Sequence, residues 1–216
     1  MSRLKAYKWV CVALLIYTVV AGFILPVPRL NILQESIRNL HFHVPMWFAM
    51  ILLLGYSAWQ SVKVLRTDDG HADAWAVASA ETAMVFGALG MITGMIWARY
   101  TWGEWWSGDP KQNAAAVGLL LYAAYFTLRG AFDDPSRRQR LSAIFNLLAY
   151  PILIALLFIL PRMTDSLHPG NGGNPAFGQY DLDDKLRLVF YPAVLAWFLL
   201  GIWMAELNVR LTTLRK

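Results

Sequence analysis

The stretch AVASAETAMVFGALGMITGMIWA, residues 76–98, contains one charged side chain, Glu81, and decides the class of fold. A helix needs about 20 consecutive apolar residues to cross the roughly 30 Å hydrocarbon core of a bilayer. Five further segments approach this length and composition: residues 9–25, 46–62, 112–128, 141–160 and 188–205. The sequence therefore predicts an all-α polytopic membrane protein, a bundle of six transmembrane helices.

The overall composition agrees with a chain that is surrounded by lipid. Of the 216 residues, 57% are hydrophobic and 15% are charged, whereas a soluble domain usually carries about 25% charged residues. The net charge of +5 is attributed to basic loops on the cytoplasmic side, and no nucleic-acid partner is expected. The single Cys11 excludes an intramolecular disulfide and a cysteine-based metal site. We expect one membrane domain over residues 1–216, with the lipid bilayer as its surroundings.

The basic residues predict the orientation of the chain. With a cytoplasmic N-terminus, twelve of the 19 Lys and Arg residues fall on the cytoplasmic side and the remaining seven on the opposite side. Positive charge favours the cytoplasmic side, so both termini are predicted to lie there. The outer segments are then residues 26–45, 99–111 and 161–187. In the first of them, a three-and-four spacing of apolar residues predicts a short amphipathic helix on the membrane surface: Leu30, Leu33, Ile37 and Leu40.

Three unusual features fall in or next to these outer segments. His43 comes just before Pro45, an early helical residue, so it lies at the start of the second predicted span. His168 lies in the Gly- and Asn-rich loop between the fifth and sixth spans. The third feature is WGEWWSGD, residues 102–109, whose three Trp side chains would share one face if the stretch were helical: Trp102, Trp105 and Trp106.

Two imidazoles and an aromatic surface on one side of the membrane suit a large, flat, apolar ligand with a metal at its centre. Haem iron accepts two imidazoles from opposite faces, and indole rings offer broad contact area. Four basic side chains of the outer segments are candidates to pair with haem propionates: Arg38, Arg99, Lys111 and Arg162. Zinc is less favoured, since its sites usually need three or four protein ligands at tetrahedral positions.

Each feature also has a plainer explanation when it is taken alone. An interfacial Trp cluster is usually a membrane anchor, and a His in a loop is usually solvated. Gly90 and Gly94 form a small-residue pair that is common at contacts between membrane helices. From the residues alone, a haem site is one hypothesis, and a membrane anchor, solvated histidines and a helix contact are the alternatives.

The combination of segments resembles a known family. Residues 102–109 are similar to the Trp-rich signature of the haem-handling WWD proteins of cytochrome c biogenesis. His43-Val44-Pro45, Leu167-His168 and residues 129–135, RGAFDDP, resemble segments of the haem exporter protein C (CcmC) family within that group. The matches extend from about residue 26 to about residue 190, and the six-span layout is the same.

The resemblance implies a haem-binding transfer protein of the bacterial inner membrane, not an enzyme, with its haem site on the periplasmic side and haem b as a transient cargo. It implies that His43 and His168 are the axial ligands of the iron. It also assigns contacts with haem and the receiving chaperone to the Trp-rich segment: Trp102, Trp105, Trp106 and Asp109. The implied partners are the haem chaperone CcmE and an ABC-type export complex of CcmA, CcmB and CcmD.

Several positions depart from the family pattern. Pro110 follows the Asp, and the outer loop before His168 reads Arg162-Met163-Thr164-Asp165 where an aromatic pair is expected. Gly108 stands where a third Trp is usual, and Lys111 stands where Arg is usual. Lys keeps the charge but lacks the planar fork of Arg.

No Walker-type loop is present in the sequence, so energy would have to come from a partner. Two other functions stay open: a membrane haem and quinone oxidoreductase subunit, and a haem-free structural subunit of an ABC-type transporter.

Overall fold

A computed structural model describes residues 6–169 and 182–214, and this part of the chain is helical without a strand. The α-helices are α1 Ala6–Ile24, α2 Leu40–Thr67, α3 Gly70–Trp102, α4 Pro110–Gly130, α5 Pro135–Ile154 and α6 Asp184–Leu214. The predicted all-α class with six helices is confirmed. Four basic residues used for the orientation lie outside the described residues: Arg3, Lys5, Arg215 and Lys216.

Five helical segments in the described part of the chain are long and apolar enough to cross a membrane. They are Ala6–Ile24, Gln34–Thr67, Gly70–Trp102, Pro135–Arg162 and Asp184–Leu214. The fourth predicted span forms a helix, α4, of 21 residues. Its first turn carries Lys111, Gln112 and Asn113, which makes it less apolar than the others. The crossing of the membrane by α4 therefore stays a prediction.

Helices α2 and α3 extend well beyond the apolar segments 46–62 and 76–98 that predicted them. Their connection is a tight turn made by two acidic residues. Asp68 closes α2 in the left-handed conformation, with φ of 50°, and Asp69 starts α3 by accepting a hydrogen bond from the His71 N–H at 2.8 Å. These caps satisfy backbone groups that the helix ends leave open. The short turn makes α2 and α3 antiparallel neighbours.

The core of the bundle lies around α2, which packs against α3, α5 and α6. Leu54 and Phe86 are almost completely buried there. The same interior contains a polar contact, in which Asn146 Nδ2 donates to Ser57 Oγ at 2.8 Å and Tyr122 Oη donates to Asn146 Oδ1 at 3.1 Å. In a bilayer such groups find partners within the protein, and these bonds join α2, α4 and α5.

Two ion pairs show how the helices alternate in direction. Arg129 at the end of α4 donates to both carboxylate oxygens of Asp73 at the start of α3, at 2.8 and 2.5 Å. Lys8 in the first turn of α1 lies 3.1 Å from Glu206 near the end of α6. The starts of α2 and α4 and the end of α3 consequently meet at the opposite end of the bundle. That end contains the residues singled out in the sequence.

The predicted amphipathic helix in residues 26–45 is a short 3₁₀ helix, Gln34–Asn39, which continues directly into α2. Its buried Ile37 packs against Leu182 and Phe190, so its apolar side faces the protein at the start of α6. Arg38 donates to the Leu25 carbonyl at 2.8 Å and thereby fixes the segment to the end of α1. A position on the membrane surface stays a prediction.

The end of the fifth span departs from regular α-helix. A π-helical turn, Ala155–Ile159, follows α5 and leads into a 3₁₀ turn, Leu160–Arg162. Pro161 has no N–H to donate, and its ring would clash with the carbonyl of residue 157 in a regular helix. The wider π turn removes this conflict. It also turns the side chains of Leu157 and Phe158 toward the cavity described below.

The Asp73–Arg129 pair generates a prediction about stability. The two side chains are only 10% and 16% exposed, so Asp73→Ala leaves a nearly buried guanidinium without its hydrogen-bonded carboxylate, although the charge of Glu81 still acts on it. Such losses cost about 3–5 kcal/mol. We expect a clearly lower midpoint of thermal unfolding in detergent, followed by circular dichroism at 222 nm.

The matched control is the double variant Asp73→Leu/Arg129→Met, which removes both charges and keeps apolar volume. It should recover most of the lost stability, because replacing a whole buried pair is often close to neutral. An Asp73→Ala protein that unfolds at the wild-type temperature would contradict the prediction.

Candidate functional site

A cavity of about 460 Å³ lies at the end of the bundle where α2 and α4 begin and α3 ends. Its volume is within the range of about 300–1,000 Å³ that is common for small-molecule sites. His43 and His168 both line it, although 125 positions of sequence separate them. Most of the remaining wall is apolar and includes Trp47, Met91 and Leu157.

His43 lies in the first turn of α2, and α3 fixes its ring. Its Nδ1 is 3.1 Å from Thr93 Oγ1. The Thr93 hydroxyl has the Leu89 carbonyl at 2.8 Å and the Gly90 carbonyl at 3.1 Å as acceptors for its proton, and when it donates to either one its oxygen accepts from the imidazole. His43 Nδ1 then carries the proton, and the lone pair of the neutral ring is on Nε2. The rings of Trp47 and Trp97 meet this imidazole edge-on at centroid distances of 6.3 and 5.9 Å.

His168 is oriented by a carboxylate. Its Nδ1–H donates to Asp109 Oδ1 at 2.9 Å, and its ring meets Trp102 edge-on at a centroid distance of 4.6 Å. The proton on Nδ1 again leaves the lone pair of the neutral ring on Nε2. This carboxylate–imidazole arrangement is the one that orients His side chains at many metal sites and makes them better donors.

Asp109 is a buried acceptor for several groups at once. It caps α4 by accepting from the Lys111 N–H at 2.8 Å, and it also accepts from Ser166 Oγ at 2.9 Å and the Leu167 N–H at 2.7 Å. Burial by itself raises the pKa of this carboxyl group, but the hydrogen bonds from His168, Leu167 and Lys111 outweigh it and hold the pKa well below its usual value. Asp109 is therefore ionised. It is not among the residues that line the cavity. It positions His168.

The Trp-rich stretch does not continue α3, so the helical arrangement considered for its three Trp side chains is wrong. Gly103 has φ of +85° and Gly108 has φ of +72°, and these left-handed residues form a loop between α3 and α4. Trp102, the last residue of α3, lines the cavity. Trp105 and Trp106 do not line it and are 53% and 39% exposed.

The four candidate cations separate into two pairs. Arg38 and Arg99 bond to main-chain carbonyls and do not line the cavity. Lys111 and Arg162 line it, and Lys111 Nζ also donates to the carbonyl of Pro169. The pKa of Lys111, which precedes the fourth predicted span, is lowered by burial and further by the nearby charge of Arg162. An anionic group between these two cations would relieve their repulsion.

Two residues of the site were missed in the sequence. Thr93 is an ordinary polar residue within an apolar helix, and its partner His43 lies 50 positions earlier. Gln112 accepts from both the N–H and the Oγ of Ser107 at 3.0 Å, which ties the Trp-rich loop to α4. The Thr93 contact depends on how α2 and α3 pack, and the Gln112 contact depends on the non-helical loop before α4, so neither follows from helical spacing.

Comparison with known proteins gives the family. The chain matches the family model described as "Heme exporter protein C" over residues 2–216. It is 30% identical to the protein named Heme exporter protein C of Bradyrhizobium diazoefficiens over 112 residues, which are 52% of this chain and 43% of that protein. It is 49% identical over 55 residues to the cytochrome c biogenesis protein CcsA of Prochlorococcus marinus strain MIT 9515, or 26% of this chain and 18% of that protein.

The matched regions thus cover less than half the length of these curated relatives. The family match, in contrast, covers nearly every residue of the chain, including the two histidines, the Trp-rich loop and Asp109. The chain belongs to the heme exporter protein C (CcmC) family.

Proposed function

We propose that this chain binds haem b as a transient cargo in the cavity and delivers it to the haem chaperone CcmE for cytochrome c maturation. Membership of the heme exporter protein C family supports a role in haem handling. His43 and His168 are the axial iron ligands in this proposal. The chain acts as a transfer protein, and covalent chemistry belongs to the partner.

The observation that carries the proposal is the pairing of two histidines with similar surroundings at one cavity. His43 and His168 come from distant segments, yet both line the same space. Each donates its Nδ1–H to an oxygen, of Thr93 in one case and of Asp109 in the other. A proton on Nδ1 leaves Nε2 of each ring for the iron, which is the arrangement expected of two axial imidazoles.

The rest of the cavity suits the other parts of haem. Apolar and aromatic walls, among them Trp47, Trp97 and Met95, match the flat porphyrin. Lys111 and Arg162 supply two positive charges for the two propionates. Lys at position 111 replaces the Arg of the family pattern, so its pairing is that of a point charge without a bidentate fork.

A carrier must release its cargo, and the two ligands differ in a way that favours release. His43 lies on α2, whereas His168 lies on a loop. Hydrogen bonds from Ser166, Leu167 and His168 to Asp109, and from Lys111 to the Pro169 carbonyl, anchor that loop to the start of α4. Moving the loop breaks one axial bond without unpacking the helices. We propose this step as the route to transfer.

The exposed indoles of Trp105 and Trp106 provide the contact for CcmE in this proposal. They lie on the loop that follows Trp102, the last residue of α3, which lines the cavity. Large exposed aromatic side chains are frequent at protein interfaces.

The expected setting is the bacterial inner membrane, with both chain termini in the cytoplasm and the cavity on the periplasmic side. An ABC-type complex of CcmA, CcmB and CcmD is the energy source in this proposal.

The ligand assignment predicts an absorption spectrum. Purified wild-type protein loaded with haem should show the Soret and sharp α and β bands of low-spin iron with two imidazoles. His43→Ala and His168→Ala should each lose this spectrum and bind haem at least 10-fold more weakly, because a ligand is removed. Added imidazole should restore the low-spin bands in both variants by occupying the vacated position.

His71→Ala is the matched control, because His71 is an exposed residue at the opposite end of α3. It should keep the wild-type spectrum. A wild-type protein that binds no haem would favour a haem-free structural subunit. A low-spin spectrum that survives both ligand replacements would contradict the ligand assignment.

The different positions of the Trp residues predict a separation of binding from transfer. Trp102→Ala removes cavity wall and an edge contact to His168, so haem content should fall several-fold. Trp105→Ala/Trp106→Ala should keep the haem content and slow transfer to purified CcmE at least 10-fold. The measurements are haem per protein and the rate at which the spectrum of haem-loaded CcmE appears. Equal transfer rates in wild type and double variant would remove these indoles from the interface.

A further inference from the structure

One face of α3 is shaped around the side chains of α2 that border the cavity. A Cβ atom at Gly94 would lie 2.7 Å from His43 Cε1, and a Cβ atom at Gly90 would lie 2.9 Å from the indole nitrogen of Trp47. Neither distance is compatible with van der Waals contact, so any side chain at these positions would displace a ring. The Gly90 and Gly94 pair thus does more than bring two helix backbones together.

Thr93 completes this face. Its Oγ1 lies 3.1 Å from His43 Nδ1, and the Leu89 carbonyl at 2.8 Å and the Gly90 carbonyl at 3.1 Å are the acceptors available to its proton. A Thr hydroxyl whose proton is committed in this way can only accept from the imidazole. Thr93 therefore favours a proton on Nδ1 of His43, beside a hydrogen bond between the ring and the Gly90 backbone, and Gly94 determines where the ring lies.

We propose that Thr93 is the positioning residue for His43 as an iron ligand, with Gly94 providing the space that the ring occupies. The inference rests on the proposed function and adds to it a residue that acts through His43 without touching haem. The hydrogen bond to Thr93 holds the neutral ring with Nε2 as the donor nitrogen. It also makes the ring a stronger electron donor, because the Nδ1 proton is partly shared with oxygen.

The two axial ligands consequently differ in strength. His168 donates to an ionised carboxylate, Asp109, whereas His43 donates to a neutral hydroxyl. A charged acceptor forms the stronger hydrogen bond and gives the ring more donor character. Thr93 thus keeps His43 competent as a ligand without making its bond to iron as strong as that of His168.

The test is a comparison of Thr93→Val with Thr93→Ser in the full-length protein in detergent. Val has the shape of Thr but cannot accept a hydrogen bond, whereas Ser keeps the hydroxyl. We expect Thr93→Val to weaken haem binding about 10-fold and to shift the haem midpoint potential to more positive values, because weaker donation destabilises ferric iron. Thr93→Ser should restore both quantities to near the wild-type values.

A glycine pair tests the steric part. Gly94→Ala should displace the His43 ring and convert the low-spin spectrum to a high-spin one. Gly130→Ala is the matched control, because a Cβ atom there meets nothing within 4 Å. It should leave the spectrum unchanged.

The outcomes separate this inference from the proposed function. A wild-type protein without a low-spin bis-imidazole spectrum would overturn both. A normal wild-type spectrum with unchanged affinity and potential in Thr93→Val would overturn the role of Thr93 alone. The role of Thr93 would also be overturned if Thr93→Ser had the affinity and potential of Thr93→Val. This holds provided that the helical circular dichroism and the detergent elution of Thr93→Ser match those of wild type.

Discussion

The carboxylate of Asp109 connects three parts of this protein that the sequence keeps apart. It caps α4, holds the loop around Ser166 and Leu167, and accepts the Nδ1 proton of His168. Together with the Lys111 bond to the Pro169 carbonyl and the contact of Trp102 with the imidazole, these bonds hold His168 beside the cavity wall. The negative charge is kept because the hydrogen bonds lower the pKa of the buried carboxyl group. The arrangement of the cavity thus depends on one ionised side chain.

The two histidines differ in what holds them, and this difference suits a carrier. His43 is fixed by a helix face on which Thr93 and Gly94 leave one place for its ring. His168 has the stronger acceptor but lies on the loop that follows Arg162, outside the helices. A site with one rigid ligand and one loop-borne ligand can hold a cargo firmly and still open on one side. The proposal that the protein transfers its cargo rests on this combination of one ligand on a helix and one on a loop.

Much of the fold was accessible from the sequence, and the errors have identifiable causes. Apolar length predicted all six helices, because a helix in lipid must satisfy its own backbone groups. It did not indicate how far α2 and α3 extend beyond the apolar spans, since capping by Asp68 and Asp69 does not depend on hydropathy. The Trp-rich stretch was considered as a helix, whereas glycines at positions 103 and 108 take left-handed conformations and form a loop.

The sequence by itself determined the class of the protein, its helices and the residue types available for a site, because these follow from local composition and spacing. The family resemblance named the two histidines. Only the tertiary structure decided that both line one cavity, that Asp109 orients a histidine without lining it, and that Trp102 faces the cavity while Trp105 is exposed. These facts depend on contacts between residues more than 50 positions apart, and no local pattern encodes how separate helices and loops pack.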